Sequence, residues 1–285
     1  MSAHDKHIMV TGATSGIGLA AAKLLAADGA RLTLVARNPE KVQVALAAVR
    51  AAGQRDDHQC LEMDFASLAS VREAAQQFVA RGDTLDVLLN NAGTINLRRQ
   101  TSQEGYEQIF AVNHLAPFLL TGILLPLLAR PGCRIVNVAS NSYAIVRGIR
   151  FDDLQAQKKY NAMLVYGHSK LANMLFTVEL AQRLASSGVL CNSLHPGAVS
   201  TGLGTQNSGL ISWIVPRMMR AFFKTPEQGA ETPVYLCREE EGGKVSGHYF
   251  VNRRIVTPKS WATDPAAARR LWEVSEELVD FRYAA

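Results

Sequence analysis

The chain of 285 residues is 48% hydrophobic and 19% charged, a balance that supports a large core and excludes intrinsic disorder. Its net charge of +5 comes from 30 Lys and Arg against 25 Asp and Glu, but the basic residues are scattered rather than clustered, which argues against nucleic-acid binding. The four cysteines, Cys60, Cys133, Cys191 and Cys237, lie far apart without a C-x-x-C pair, so neither a metal site nor a disulfide framework is expected.

Ile8-Met9-Val10 reads as a first strand that follows a short polar start. That start leaves no room for a secretory segment or an anchor helix. No apolar run approaches the roughly 18 residues of a membrane span; the richest, Leu210 to Phe223, is broken by Pro216, Arg217 and Arg220. The expectation is a cytoplasmic protein.

Strand-like runs then alternate with helical periods. Ile17 to Ala27 precedes Leu32 to Val35, and Pro39 to Ala52 precedes Cys60 to Met63. Leu68 to Ala80, Val87 to Leu89, Tyr106 to Leu128, Ile135 to Val138, Ala162 to Leu184 and Val189 to Leu194 continue the series. A βαβ series of this kind predicts an α/β fold with a parallel sheet covered by helices on both faces. Thr225-Pro226-Glu227-Gln228 and Asp264-Pro265 are helix starts, each a cap followed by a first-turn proline. No linker or repeat divides the chain, so residues 1–285 are read as a single domain.

Candidate functional residues fall at the strand ends. Thr11-Gly12-Ala13-Thr14-Ser15-Gly16-Ile17-Gly18 joins the first strand to the first helix, where free N–H groups and a positive dipole end suit a phosphate. The next strand ends in Leu34-Val35-Ala36-Arg37-Asn38, without the carboxylate that an NAD-selective site places against the ribose 2′-hydroxyl. Arg37 instead offers a fork to a 2′-phosphate, so NADP(H) is expected over NAD(H). Tyr166 and Lys170 are one helical turn apart on one face, where an ammonium is expected to lower the tyrosine's pKa and make it an acid–base group. Ser140 follows an apolar strand, at the sheet edge where open α/β folds bind ligands. His114, His168 and His195 invite a triad reading with a serine, but no G-x-S-x-G elbow is present, and they are read as structural or as supporting the site from behind its reacting groups.

Taken in order, Thr11 to Gly18, Asp64, Asn90-Asn91-Ala92-Gly93, Ser140, Tyr166-Gly167-His168-Ser169-Lys170 and Pro196-Gly197 resemble the motif set of the short-chain dehydrogenase/reductase family. Phe151-Asp152-Asp153-Leu154, Tyr160-Asn161, the run from Tyr166 to Leu184 and Leu194-His195-Pro196-Gly197 are similar to its retinol-dehydrogenase-like branch. Ala139 departs from the pattern, standing where a second serine often precedes Ser140.

The resemblance implies a doubly wound Rossmann fold with a seven-stranded parallel sheet and hydride exchange between a nicotinamide and an alcohol or carbonyl compound. It implies a catalytic set of Asn113, Ser140, Tyr166 and Lys170, with Asn113 in water-linked contact with the lysine. The implied NADP(H) contacts are Gly12, Thr14, Ser15, Gly16, Ile17, Gly18, Arg37, Asp64, Phe65, Asn91, Ala92, Gly93, Tyr166, Lys170, Pro196, Gly197 and Val199. Within that set Asp64 is assigned to the adenine, Asn91 to its ribose, and Pro196 and Val199 to the nicotinamide side. Two other readings fit the same fold: a non-catalytic NADP(H)-binding redox sensor, and a double-bond reductase resembling protochlorophyllide reductase.

Between Ser200 and Thr225 the alternation lapses. Residues 202–224 are glycine-bearing and then apolar, and are expected to form a lid for a small lipophilic substrate. The same apolar surface also suits a contact between two copies, so a homodimer is the alternative expectation for it.

Overall fold

Runs of Val, Ile and Leu become strands here because helices cover both of their faces. The computed structural model describes residues 3–128, 130–199, 224–238 and 244–283. Its strands are β1 (His7–Thr11), β2 (Arg31–Ala36), β3 (Gln59–Glu62), β4 (Val87–Asn90), β5 (Arg134–Val138), β6 (Leu190–His195), β7 (Tyr249–Val251) and β8 (Arg254–Ile255). Its helices are α1 (Gly16–Ala27), α2 (Pro39–Ala52), α3 (Leu68–Ala80), α4 (Gln108–Phe110), α5 (Ala116–Leu128), α6 (Ala162–Arg183), α7 (Pro226–Arg238) and α8 (Pro265–Val279). A π-helical turn, Ala111–Leu115, joins α4 to α5, and 3-10 turns cover Asn141–Ile145 and Ser260–Ala262.

The strands form one sheet of order β3-β2-β1-β4-β5-β6-β7-β8. Pairing is parallel from β3 through β7 and antiparallel only between β7 and β8. The Rossmann-like α/β fold is therefore as expected, but the sheet has eight strands and is mixed where seven parallel strands were expected. The extra strand, Arg254–Ile255, is exposed and two residues long, so it carries none of the apolar alternation that betrays a strand in sequence.

Alternate side chains of each strand feed two cores. Ile8 and Val10 pack with Leu25, Leu46 and Val234 of α1, α2 and α7, whereas Met9 packs with Phe78, Leu119, Leu175 and Trp272 of α3, α5, α6 and α8. The two late helices start as their sequences dictate. Thr225 and Gln228 exchange bonds, Gln228 N to Thr225 Oγ1 at 3.3 Å and Thr225 N to Gln228 Oε1 at 3.0 Å. Asp264 Oδ1 accepts from Ala266 N at 2.9 Å.

Two expectations change. The helical run Gln108–Leu128 is, at 21 residues and a mean hydropathy of 1.7, long and apolar enough to cross a membrane, contrary to the reading that no run approaches that length. In the fold it is a core helix: Phe118, Leu119, Leu120 and Leu124 are fully buried, and 72% of its apolar window is inside the protein. The expected lid at 202–224 lies outside the described residues except for Lys224.

The segment after α8 closes the second core. Tyr283 Oη donates to Phe118 O at 2.6 Å, and its ring lies 4.4 Å from Trp272 and 5.0 Å from Phe118, centroid to centroid. Gly122 of α5 is what lets that ring in, since a Cβ there would stand 2.8 Å from Tyr283 Cε2 and overlap Phe281. Gly122→Ala is accordingly expected to cost about 1–3 kcal/mol through overpacking, read as a lower Tm in thermal unfolding.

Candidate active site

The chain connections part between β1 and β4, and a cleft of about 800 Å3 opens there along the carboxyl edge of the sheet. Every residue of the expected NADP(H) set, from Gly12 to Val199, lines this cleft, as does Ser140. Asn113 does not: it is fully buried behind the cleft wall.

At one end, α1 begins without a side-chain cap. Ser15 holds the N-cap position in extended conformation but makes no capping bond, which leaves first-turn N–H groups without a side-chain acceptor and suited to an anion. Gly12 and Gly16 adopt left-handed φ of 66° and 53° to shape the turn. Gly18 is required for a different reason: a Cβ there would overlap Gly12 O and come within 2.5 Å of Asn91 Nδ2. Asn91 in turn fastens the β4 loop to the end of β1, its Nδ2 donating to Thr11 O at 2.8 Å while the amides of Asn91 and Ala92 both donate to Thr11 Oγ1 at 2.9 Å.

Beyond β2, the Arg37 side chain is 73% exposed and free to swing, with Nη1 3.9 Å from Asp64 Oδ1. Asp64 Oδ1 also accepts from Ala66 N at 2.9 Å, which fixes the carboxylate at the cleft edge. Asn38 is occupied in capping α2, accepting from Lys41 N at 2.8 Å. The described lining there thus presents one guanidinium, one carboxylate and the aromatic face of Phe65.

At the other end, Ser140, Tyr166 and Lys170 converge from β5 and α6. Burial pushes the Tyr166 pKa up to about 12, with the nearby Ser140 hydroxyl opposing. Lys170 is 3% exposed and donates Nζ to Val138 O at 2.9 Å; burial holds its pKa down to about 8. Its Nζ stands 5.6 Å from the centre of the Tyr166 ring. The expected lowering of the tyrosine's pKa by the ammonium is therefore not what the pair displays. Desolvation by burial is the dominant influence, and it raises the tyrosine's pKa.

Asn113 supports this end from behind. Its Oδ1 accepts from Thr94 N at 2.7 Å, and its Nδ2 donates to Thr94 O at 3.0 Å and to Ser169 Oγ at 2.9 Å. Gly93 keeps the gap between Asn113 and Lys170 open, a Cβ there lying 3.4 Å from Asn113 Oδ1 and 3.6 Å from Lys170 Nζ. Sequence reading missed Asn96, Asn141 and Ser142, and singled out His195 only as structural or supporting; all four line the cleft. His195 was legible, since it ends β6 immediately before Pro196. Burial, then Lys224, lower its pKa to about 4, so the ring is neutral at pH 7.

Comparison with known proteins agrees with this geometry. A sequence model of the family described as short chain dehydrogenase matches residues 6–209. Mouse retinol dehydrogenase 12 is 38% identical over 279 residues, covering 98% of this chain and 87% of its own. An uncharacterized protein from Mycobacterium paratuberculosis has a similar structure, with a TM-score of 0.80 at 29% identity over 100% of this chain and 97% of that one. A short-chain dehydrogenase from Burkholderia cenocepacia in complex with NADP aligns with a TM-score of 0.69 at 25% identity, over 88% of this chain and 97% of that one.

Gly18→Ala should force apart Gly12 and Asn91, the two walls of the turn. The expected outcome is a dinucleotide affinity lowered by roughly tenfold or more, equivalent to about 1.4 kcal/mol, in a fluorescence titration with NADPH.

Proposed function

Because this chain belongs to the short-chain dehydrogenase family, we propose that it is an NADP(H)-dependent oxidoreductase that interconverts a lipophilic alcohol and its carbonyl compound. The observation that carries this reading is the convergence of Tyr166, Ser140 and Lys170 at one end of a cleft whose other end is a glycine turn over an uncapped helix start.

The residues present fit a dinucleotide. The cleft has the volume, the uncapped start of α1 behind the Gly12 to Gly18 turn suits a pyrophosphate, and Arg37, exposed and only loosely paired with Asp64, is a cation available to a 2′-phosphate. A nicotinamide cofactor, which Tyr166, Lys170, Pro196 and Val199 would hold, would supply or accept the hydride. Tyr166 gives its phenolic proton to the carbonyl oxygen during reduction and takes one from the alcohol during oxidation. Ser140 donates to the same oxygen and steadies the charge that develops there. Lys170, when charged, stabilises the phenolate left behind.

Exposed apolar side chains beside the residues that line the cleft support an apolar substrate. Leu97, Ile145 and Met163 are 64%, 50% and 49% exposed, and they sit on the same three segments that carry Asn96, Ser142 and Tyr166 to the cleft. Mouse retinol dehydrogenase 12 is named for an alcohol of that kind.

An assay of NADPH oxidation with an aldehyde series tests both parts. Turnover efficiency is expected to rise with chain length, and Tyr166→Phe is expected to lower kcat by roughly 10² to 10⁴-fold, the usual loss of an acid–base group. A flat series argues against an apolar site, and undiminished activity of Tyr166→Phe against the mechanism. Removing the phosphate partner in Arg37→Ala should cost about 1.5–3 kcal/mol, so the ratio of NADPH to NADH affinities should narrow by roughly tenfold or more.

A further inference from the structure

His114 follows Asn113 in the π-helical turn, is 1% exposed, and has no part in the chemistry above. Its ring lies 5.2, 6.0 and 6.2 Å from those of Phe110, Phe118 and Phe176, a setting that a phenylalanine would fill equally well. What phenylalanine lacks is the bond that His114 Nε2 makes to Ser275 Oγ of α8, at 2.8 Å.

The direction of that bond is fixed by its neighbours. Ser275 Oγ is 2.7 Å from Leu271 O, a carbonyl that can only accept, so the single serine proton goes there. Ser275 must then accept from His114, whose ring carries its proton on Nε2. Nδ1 is left as a buried acceptor without a partner among the described residues. Burial holds the ring's pKa down to about 3, in keeping with a neutral imidazole. A buried orphan acceptor is costly, so packing alone gives no reason for a histidine here.

The two adjacent residues of the turn pull in opposite directions. His114 reaches out to α8, while Asn113 reaches in to Ser169 Oγ, which donates to Tyr166 O at 2.8 Å. A π turn interrupts the regular α-helical ladder and is frequent at functional sites, and here both of its faces carry a side-chain tie that fixes its orientation. We propose that His114 is a positioning residue: its bond to Ser275 fixes the rotation of the π turn and hence the place of Asn113 behind Tyr166 and Lys170, which makes α8 part of the active-site frame. This inference rests on the oxidoreductase reading.

The test compares His114→Phe, His114→Gln and Ser275→Ala in steady-state turnover with NADPH and an aldehyde, with Tyr166→Phe alongside. Phenylalanine keeps the ring volume without the donor, and glutamine keeps an amide N–H near the Nε2 position. His114→Phe and Ser275→Ala are each expected to lower kcat by roughly tenfold with KM for NADPH unchanged. Combining them should do no further harm, because they break one bond. His114→Gln should recover most of the loss, and 15N imidazole shifts should report a neutral ring protonated on Nε2 between about pH 5 and 8. Wild-type kcat in both His114→Phe and Ser275→Ala, a His114→Gln enzyme as slow as His114→Phe, or a ring protonated on Nδ1 would each overturn the proposal. If the phenylalanine variant does not fold, the smaller change Ser275→Ala decides. Loss of turnover in Tyr166→Phe alone refutes positioning while sparing the oxidoreductase reading; full turnover in Tyr166→Phe refutes both.

Discussion

The hydrogen bonds between Thr11 and the Asn91–Ala92 segment are the interaction on which the rest of the molecule turns. A parallel sheet whose crossovers reverse direction must part its connections somewhere, and here they part between β1 and β4. Left alone, the two strand-end loops would be free to close the gap or splay. Thr11 Oγ1 accepts from two successive amides of the β4 loop, and Asn91 Nδ2 returns a bond to Thr11 O, so the loops are set at one spacing. The close seating of Gly18 against Gly12 and Asn91 follows from that spacing.

Below the Tyr166 end of the cleft runs a column of buried polar side chains. Asn90 Nδ2 donates to Thr121 Oγ1 at 3.1 Å and to Asn137 Oδ1 at 2.9 Å, and Asn137 Nδ2 donates to Thr177 Oγ1 at 2.9 Å. Thr177 donates to Asn173 O at 2.8 Å, and Lys170 Nζ donates to Val138 O, one residue beyond Asn137 on β5. Each link satisfies groups whose burial would otherwise cost free energy, and the directional bonds fix the register of α5 and α6 against the strands more tightly than dispersion contacts do. The lysine is thereby carried on a helix that has little freedom to roll.

Much of this was legible in the sequence because strand ends and glycine turns are local. The turn from Gly12 to Gly18, the Arg37 position without a neighbouring carboxylate, Ser140 after its strand and the one-turn spacing of Tyr166 and Lys170 depend on residues close in the chain, and all line one cleft. What escaped depends on tertiary surroundings. The run from Tyr106 to Leu128 keeps a helical period throughout, so periodicity gives no hint that Ala111–Leu115 widens into a π turn. The expected shift of Tyr166 was judged from its charged neighbour alone, whereas desolvation, which only the folded environment sets, has the opposite sign and dominates. The apolar character of Gln108–Leu128 was under-read because Gln108, Asn113 and His114 interrupt it; the fold buries all but the edge of that helix.

The contacts of α8 and the residues after it have a consequence for the order in which the molecule is made. Tyr106 Oη donates to Leu278 O across 172 positions, Arg72 Nη2 to Val279 O across 207, and Tyr283 Oη to Phe118 O across 165. During synthesis the nucleotide half can pair its strands while residues 265–283 are still inside or behind the ribosome. The aromatic face around Phe118 and Phe176, which Trp272 later covers, and the histidine that faces Ser275 stay open to water until those residues emerge. Such long-range closure is slow relative to local helix formation, so the nascent chain passes through a stage in which β1 to β6 can pair while the aromatic face is still exposed. A chaperone that recognises apolar surface has its window at that stage, and a premature stop within α8 would prolong it indefinitely.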